Sequence, residues 1–264
     1  MLKIQGLCKR FNKGTLNETI LFNNFDLEIK NRDFVTIIGS NGAGKSTLLN
    51  IISGTISADS GSIFLNGEDV TTIEEYKRTK YIGRVFQNPS MGVAPNMTIL
   101  ENMSLAYNKG KKYNLTFCID KNNIVKFKEI LSEINLGLEN KLYTKVGLLS
   151  GGQRQVLSLV MAVMSNPKLL LLDEHIAALD PKTSERIIEI TNNIVMRNKI
   201  TTIMVSHNLN HAIKMGNRLL MLHEGRIVMD FRDEEKKNLS INKLLRYFEN
   251  IQSKDILSDK ILFG

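Results

Sequence analysis

Nine consecutive residues, Gly39-Ser40-Asn41-Gly42-Ala43-Gly44-Lys45-Ser46-Thr47, carry the spacing G-x-x-x-x-G-K-S/T of a phosphate-binding loop. Glycines there let backbone N–H groups close around phosphate oxygens with no Cβ in the way, and a helix that follows turns its positive end toward the anion. Lys45 would reach the outer phosphates, and the Ser46 hydroxyl would sit on Mg²⁺. The flanks agree. Phe34-Val35-Thr36-Ile37-Ile38 is a short apolar run suited to a buried strand, and Leu48, Leu49, Ile51 and Ile52 give a helical face that stops near Gly54. A plain glycine-rich turn beside an exposed lysine would need neither flank. Farther along, the apolar run Leu169-Leu170-Leu171-Leu172 delivers two carboxylates, Asp173 and Glu174, at its end. Neighbours on a strand point to opposite faces, so the two cannot do the same job. One can hold the Mg²⁺ shell while the other faces an attacking water. A helix cap at a strand end is the blander reading of such an Asp, and the complete phosphate loop weighs against it.

Kinases, GTPases and many ATPases share those two features. The segment that separates them is Leu149-Ser150-Gly151-Gly152-Gln153-Arg154-Gln155, and with it the chain resembles the ATP-binding subunit of an ATP-binding cassette (ABC) transporter. The turn heads an amphipathic helix in which Val156, Leu159, Val160 and Val163 recur at i, i+3, i+4, i+7, so Ser150, Gly151, Gly152 and Gln153 offer a second set of backbone N–H groups to an anion. The resemblance covers roughly residues 1–230 and implies further roles. Gln87 stands for the glutamine at the junction of core and helical insertion, counted with Lys45, Glu174 and His207 as catalytic and with Ser46 and Asp173 in the Mg²⁺ shell. Ala178-Leu179-Asp180 stands for the loop that crosses a dimer interface, with Asp180 near the nucleotide. His207 stands for the histidine that contacts the terminal phosphate, and Phe11 for the aromatic that stacks on adenine. Phe22 and Phe25 compete for that last role, and Asp180 before Pro181 is also a good helix N-cap. The chain departs from the family where His175-Ile176 replaces the usual Pro-Thr or Pro-Ser, and where Ala178 replaces Ser. That exchange removes a rigid turn and a hydroxyl but leaves the catalytic carboxylate. His175, His211 and His223 are read as surface residues, and Cys8 as a buried strand residue.

Elements must hold these groups together. The first third reads as β-rich, with strands at Leu2 to Leu7 and Ile20 to Ile29. From Pro89 to about residue 165 the pattern turns helical, with Ile124, Phe127, Ile130, Leu131 and Ile134 on one face. Strands return at Leu169 to Leu172, Thr201 to Val205 and a hairpin from Leu219 to Val228 around Glu224-Gly225; a helix carrying Ile187, Ile190 and Ile194 lies between the first two. This predicts a mostly parallel α/β core with a helical insertion. Together with the resemblance, the expected fold is α/β, a P-loop NTPase (RecA-like) core with an N-terminal antiparallel β-subdomain and a helical signature subdomain. The expected domains are an ATPase unit over 1–230, with the insertion at about 89–165, and a helical tail over 231–264. In that tail Ser240 precedes Ile241, Leu244, Leu245 and Phe248 at helical spacing, which predicts a helix that folds back on the core or on a second subunit.

Composition narrows the setting. The chain has 264 residues and a formal net charge of +8. Its basic residues are scattered, with short clusters at Lys109, Lys111, Lys112 and at Lys236, Lys237. It has no Trp and no basic stripe interleaved with aromatics, so a nucleic-acid partner is not expected. No apolar run approaches the ~18 residues of a spanning helix. The opening Met1-Leu2-Lys3-Ile4-Gln5-Gly6 lacks a signal-peptide layout, and two cysteines make neither a disulfide framework nor a metal cluster. The resemblance then implies an ATP- and Mg²⁺-using hydrolase. It would work as a homodimer or ATPase-subunit pair closed head to tail around ATP, peripheral at the cytoplasmic face of the cell membrane. It would drive separate integral membrane permease subunits beside an extracytoplasmic substrate-binding protein, for uptake of a small organic solute such as an amino acid. An exporter or lipoprotein-release ATPase is the alternative. A soluble non-transport ABC ATPase fits less well, because such proteins separate loop and signature by long coiled coils or carry two cassettes.

Overall fold

The computed structural model describes residues 1–110, 119, 120, 122–176 and 180–248. Ala178 and Leu179 of the expected interface loop, Lys111, Lys112, Cys118 and residues 249–264 lie outside them.

The strands are β1 (Leu2–Phe11), β2 (Thr19–Ile29), β3 (Phe34–Gly39), β4 (Ser60–Leu65), β5 (Glu68–Asp69), β6 (Ile82–Val85), β7 (Leu169–Asp173), β8 (Thr201–Val205), β9 (Arg218–His223) and β10 (Arg226–Arg232). The helices are α1 (Lys45–Ser53), α2 (Glu75–Arg78), α3 (Ile99–Tyr107), α4 (Asn122–Ser132), α5 (Gly151–Met164), α6 (Pro181–Asn198), α7 (Leu209–Lys214) and α8 (Asp233–Lys237), with a further helix over 241–248. A four-stranded antiparallel sheet runs β2-β1-β4-β5; a six-stranded sheet runs β10-β9-β3-β8-β7-β6. In the larger sheet β9, β3, β8, β7 and β6 are parallel, and β10 returns antiparallel beside β9.

Composition explains the layering. β3 and β8 are buried nearly throughout and β7 is buried over Leu169 to Leu172, so these strands need cover on both faces. Alternation decides which side chain meets which layer. Leu169 and Leu171 face Leu48, Leu49 and Ile52 of α1 and, beyond them, Ile4, Phe22 and Leu27 of the small sheet. Leu170 and Leu172 face Val156, Leu159 and Val160 of α5 and Ile187 and Ile190 of α6. A third cluster joins Ile38, Leu219 and Met221 to Ala212 of α7 and to Leu239 and Leu244, with Phe231 and Phe248 packed against it. The start of the tail is therefore seated on the sheet, with Leu244 buried and Leu245 exposed. Among the described residues no helix is long and apolar enough to cross a membrane.

The β9–β10 turn has a second task. Glu224 and Gly225 both take positive φ (43° and 71°), as a two-residue hairpin turn of this hand requires. The Gly225 N–H donates to the Ala43 carbonyl in the phosphate loop at 3.1 Å. A Cβ at Gly225 would stand 1.6 Å from the Leu21 carbonyl oxygen. The hairpin tip thus wedges the loop against β2 and leaves no room for a methyl group. Gly225→Ala should destabilise the protein by roughly 2 kcal/mol and weaken nucleotide binding with it. A thermal melt paired with an ATP titration checks both.

His175 is not at the surface. The turn after β7 carries it inward against α6, where it is 2 % exposed. The Thr191 hydroxyl donates to the Ile187 carbonyl at 2.7 Å, so its oxygen is left to accept from His175 Nε2 at 3.2 Å. That assignment puts the ring proton on Nε2, while Nδ1 is buried with no hydrogen-bond partner. Burial, with a smaller contribution from His211, pushes the pKa down from 6.5 to about 3. The folded ring stays neutral where the unfolded chain takes up a proton, so its contribution to stability is full above pH 6.5 and declines as pH falls toward 3. His175→Gln keeps a donor for Thr191 and cannot be protonated. Between pH 6.5 and pH 5 the wild type should lose about 2 kcal/mol more stability than this variant, read from urea unfolding at each pH.

Candidate active site

Four parallel strands end at one edge of the large sheet, and each delivers part of the site there. β3 ends in Gly39, β7 in Asp173, β8 leads to His207, and β6 leads to Gln87 two residues past Val85, which pairs with Leu172. Ligands of open parallel sheets gather at this carboxyl edge.

The loop Gly39–Thr47 leaves β3 through a contact that only glycine allows: a Cβ at Gly39 would lie 2.1 Å from the Leu222 carbonyl oxygen. It then enters α1 at Lys45. The Lys45 ammonium is buried and donates to the carbonyls of Gly39 (2.9 Å) and Ser40 (2.8 Å). Burial lowers its pKa, and the nearby carboxylates of Glu174 and Asp173 oppose that shift. One residue on, the Ser46 hydroxyl donates to Asp173 Oδ1 at 3.2 Å. The other Asp173 oxygen lies 3.5 Å from Arg84 Nη2.

Asp173 and Glu174 diverge, as adjacent positions at a strand end must. Glu174 sits in the left-handed region (φ 45°) and donates its N–H to the Val205 carbonyl at 3.1 Å. Its Oε1 pairs with His207 Nε2. The Glu174 side chain is mostly buried, whereas His207 is half exposed. His207 is held from both sides: Ser206 N–H donates to the Ile37 carbonyl of β3, and Asn208 accepts from His211 N–H to cap α7. A cavity of about 1010 Å³ opens beside this pair, bounded by Pro181, Glu185, Met204 and His211.

Three expected residues stand farther out. Gln87 is exposed just beyond β6, and the preceding Phe86 carbonyl accepts from Gln155 Nε2 of α5 at 3.4 Å. Asp180 accepts from Thr183 N–H at 3.0 Å, which caps α6, and hydrogen bonding from the Thr183 side chain, then from its N–H, lowers the pKa of its carboxyl. Phe11 ends β1, 36 % exposed, with Lys9 Nζ 5.4 Å from the ring centroid. Its competitors Phe22 and Phe25 are buried core residues whose tilted rings pack with centroids 5.0 Å apart, so Phe11 is the aromatic of the three with a face to offer.

Ser150 begins α5 in a capping box: its hydroxyl accepts from Gln153 N–H at 3.2 Å, and Gln153 Oε1 accepts from Ser150 N–H at 3.3 Å. The hydrogen bonds of this turn stay within α5 or run to Leu136; among the described residues none reaches the Gly39–Thr47 loop. One chain therefore brings together Lys45, Ser46, Asp173, Glu174 and His207, and among the described residues no hydrogen bond links Ser150 to any of them. Arg84 and Gln155 also belong to the neighbourhood, and neither was singled out in sequence. The available signal for Arg84 was a charged residue inside the short strand Ile82–Val85.

Comparison with known proteins gives this geometry its context. The sequence pattern of the ABC transporter family matches residues 22–177. A tyrosine transport ATP-binding protein of Clostridioides difficile is 51% identical over 249 residues, which cover 94% of this chain and 99% of that protein. A spermidine/putrescine import ATP-binding protein of Pasteurella multocida is 33% identical, over 93% of this chain and 63% of its own length. Among solved structures, a dimeric ATP-binding cassette in a post-hydrolysis state bound to ADP and Pi aligns with a TM-score of 0.74 at 28% identity, over 88% of this chain and 98% of that one. A phosphate loop, an acidic strand end and a serine-headed helix thus occur in a chain of which more than half fits one family pattern, and the protein belongs to the ABC transporter family as an ATP-hydrolysing, ATP-binding subunit.

Proposed function

We propose that this subunit powers uptake of a small organic solute of the amino-acid class through a separate permease, and that its hydrolytic centre is the Glu174–His207 pair facing Lys45, Ser46 and Asp173. That juxtaposition at one sheet edge is the observation that carries the reading. Import and the amino-acid class are supported by the relatives, one named for tyrosine transport and one for spermidine/putrescine import. An extracytoplasmic binding protein and a peripheral position at the cytoplasmic membrane face complete the proposal. The cleft between β6, α3 and α5, where Met91 is exposed, is the face offered to the permease.

ATP would be held by both ends. Phe11 supplies a flat apolar face for the base, with Lys9 adding positive charge beside it. The loop N–H groups and the α1 N-terminus receive the phosphates, and Lys45 exchanges its two loop carbonyls for phosphate oxygens. Magnesium suits the donors present. Ser46 Oγ and Asp173 Oδ1 are hard oxygens 3.2 Å apart, and the described residues contain no self-contained acidic cage, which fits an ion that keeps several waters and takes phosphate oxygens. When bound, Mg²⁺ would supply charge neutralisation to the phosphates. Glu174 then orients and polarises the attacking water, and His207, paired with it, senses the terminal phosphate. Gln87 joins the shell from the neighbouring strand end. Ser150 to Gln153 would meet the nucleotide of a second subunit, since among the described residues their hydrogen bonds go to α5 and Leu136 and none to their own loop, and Asp180 would lie at the approach to that interface.

Two variants test the scheme. Glu174→Gln keeps the shape and hydrogen-bonding reach of the side chain but loses the base. ATP binding should persist while turnover falls by roughly 10²- to 10⁴-fold, and an ATP-bound dimer should accumulate on size-exclusion chromatography. Wild-type turnover in this variant would remove Glu174 from the mechanism. Ser150→Arg places a bulky side chain where the second nucleotide would sit. A fluorescent ATP analogue should still bind the monomer, and hydrolysis should be lost. Normal hydrolysis would show that Ser150 does not complete a neighbour's site.

A further inference from the structure

Asp173 has two oxygens with separate neighbours. Oδ1 receives the Ser46 hydroxyl at 3.2 Å, and Oδ2 faces Arg84 Nη2 at 3.5 Å. A carboxylate turns about its own axis at little cost, so an arm on one oxygen determines where the other points. The Arg84 arm is itself rigidly held. Nη2 donates to Asn50 Oδ1 at 2.6 Å, and Nη1 donates to Ser53 Oγ at 3.0 Å and reaches Thr55 Oγ1 at 3.4 Å. The guanidinium carbon also lies 4.6 Å from the Phe86 ring centroid. Asn50 and Ser53 belong to α1, the helix that carries Ser46, so one planar fork ties the serine's helix to the carboxylate that serine touches. The side chain is 12% exposed, and burial lowers its pKa against the opposing charge of Asp173.

The opposite flank of Arg84 lines a separate cleft of about 300 Å³ with Phe86, Met91, Glu75 and Lys109. Arg84 is thus a wall between that cleft and the Ser46–Asp173 pair. Glu75, the other carboxylate near it, accepts from the Thr55 hydroxyl at 2.8 Å. A cation beside a metal-binding carboxylate could act in two opposite ways. It repels the metal, and it aligns the ligand. The fork geometry, anchored at three other side chains and only at 3.5 Å from Asp173, is that of an orienting arm rather than of a tight neutralising ion pair.

We infer that Arg84 is a positioning residue that turns Asp173 Oδ1 toward Ser46 and so sets the divalent-metal affinity of the nucleotide-loaded site. The inference rests on the functional reading above, in which Ser46 and Asp173 hold the metal. Removing the arm lets the carboxylate swing, and metal binding weakens while contacts to ATP itself are untouched. Lysine keeps the charge and loses the planar fork, so it does not substitute.

The test uses the full chain as wild type, Arg84→Met and Arg84→Lys, each checked by circular dichroism and thermal melting. Two affinities are measured separately: a fluorescent ATP analogue in EDTA, and Mn²⁺ in the presence of a non-hydrolysable ATP analogue, followed by electron paramagnetic resonance. Both variants should bind the nucleotide without metal within about twofold of wild type, and should bind Mn²⁺ roughly tenfold more weakly, about 1.4 kcal/mol. Unchanged or tighter Mn²⁺ binding in Arg84→Met would overturn the inference, as would full Mn²⁺ affinity in Arg84→Lys. If Arg84→Met does not fold, the lysine variant decides alone. Failure of the underlying functional reading looks different: the wild type itself would then show no metal-dependent ATP hydrolysis.

Discussion

Strands buried on both faces can carry charge only where they end, and most of this molecule follows from that restriction. β3, β7 and β8 pass through the core with hardly a polar atom apart from threonine hydroxyls such as that of Thr36, which donates to backbone carbonyls. Burying an unpaired charge along them would cost far more than the few kcal/mol by which a protein of this size is stable. The ionisable groups are therefore expelled to the carboxyl edge, where parallel alignment brings all the ends to one place. Lys45, Asp173, Glu174 and His207 meet because three apolar runs leave them nowhere else to emerge.

Once gathered, the charges are held by contacts that cross between elements. Ser46 and Asp173 join α1 to β7, Glu174 and His207 join β7 to the turn after β8, and Ser206 returns that turn to β3. The hairpin tip at Gly225 closes the arrangement from outside by holding the Ala43 carbonyl. Each tie spans two neighbouring strands or a strand and its helix, so displacing one end of the sheet edge is felt at the next.

Much of this was written locally in the chain. The phosphate loop, the acidic strand end and the serine-headed helix are runs of adjacent residues, and each signals itself through its own spacing. The hairpin around Glu224-Gly225 was likewise visible, because turn residues and strand alternation are short-range properties. What escaped depends on partners far apart in sequence. Arg84 meets Asp173 across 89 positions, and nothing around either residue announces the other. His175 looked like a surface residue since a histidine after two carboxylates is polar by type; its burial is decided by Thr191 on α6, one layer away. Phe11 and its competitors were separated only when packing consumed Phe22 and Phe25.

The cap at the head of α5 bears on which amino acid can stand at position 150. As judges of a helix start alone, aspartate, asparagine and serine are nearly equal. They differ in what remains after the cap is made. The Ser150 oxygen spends one lone pair on Gln153 N–H and still owns a hydrogen, whereas a capping aspartate has only lone pairs and a negative charge to present outward. A hydroxyl can cap its own helix and donate a hydrogen bond to an anion at the same moment. A serine cap at this position thus serves the fold and keeps a donor to present outward, which an aspartate cap would not.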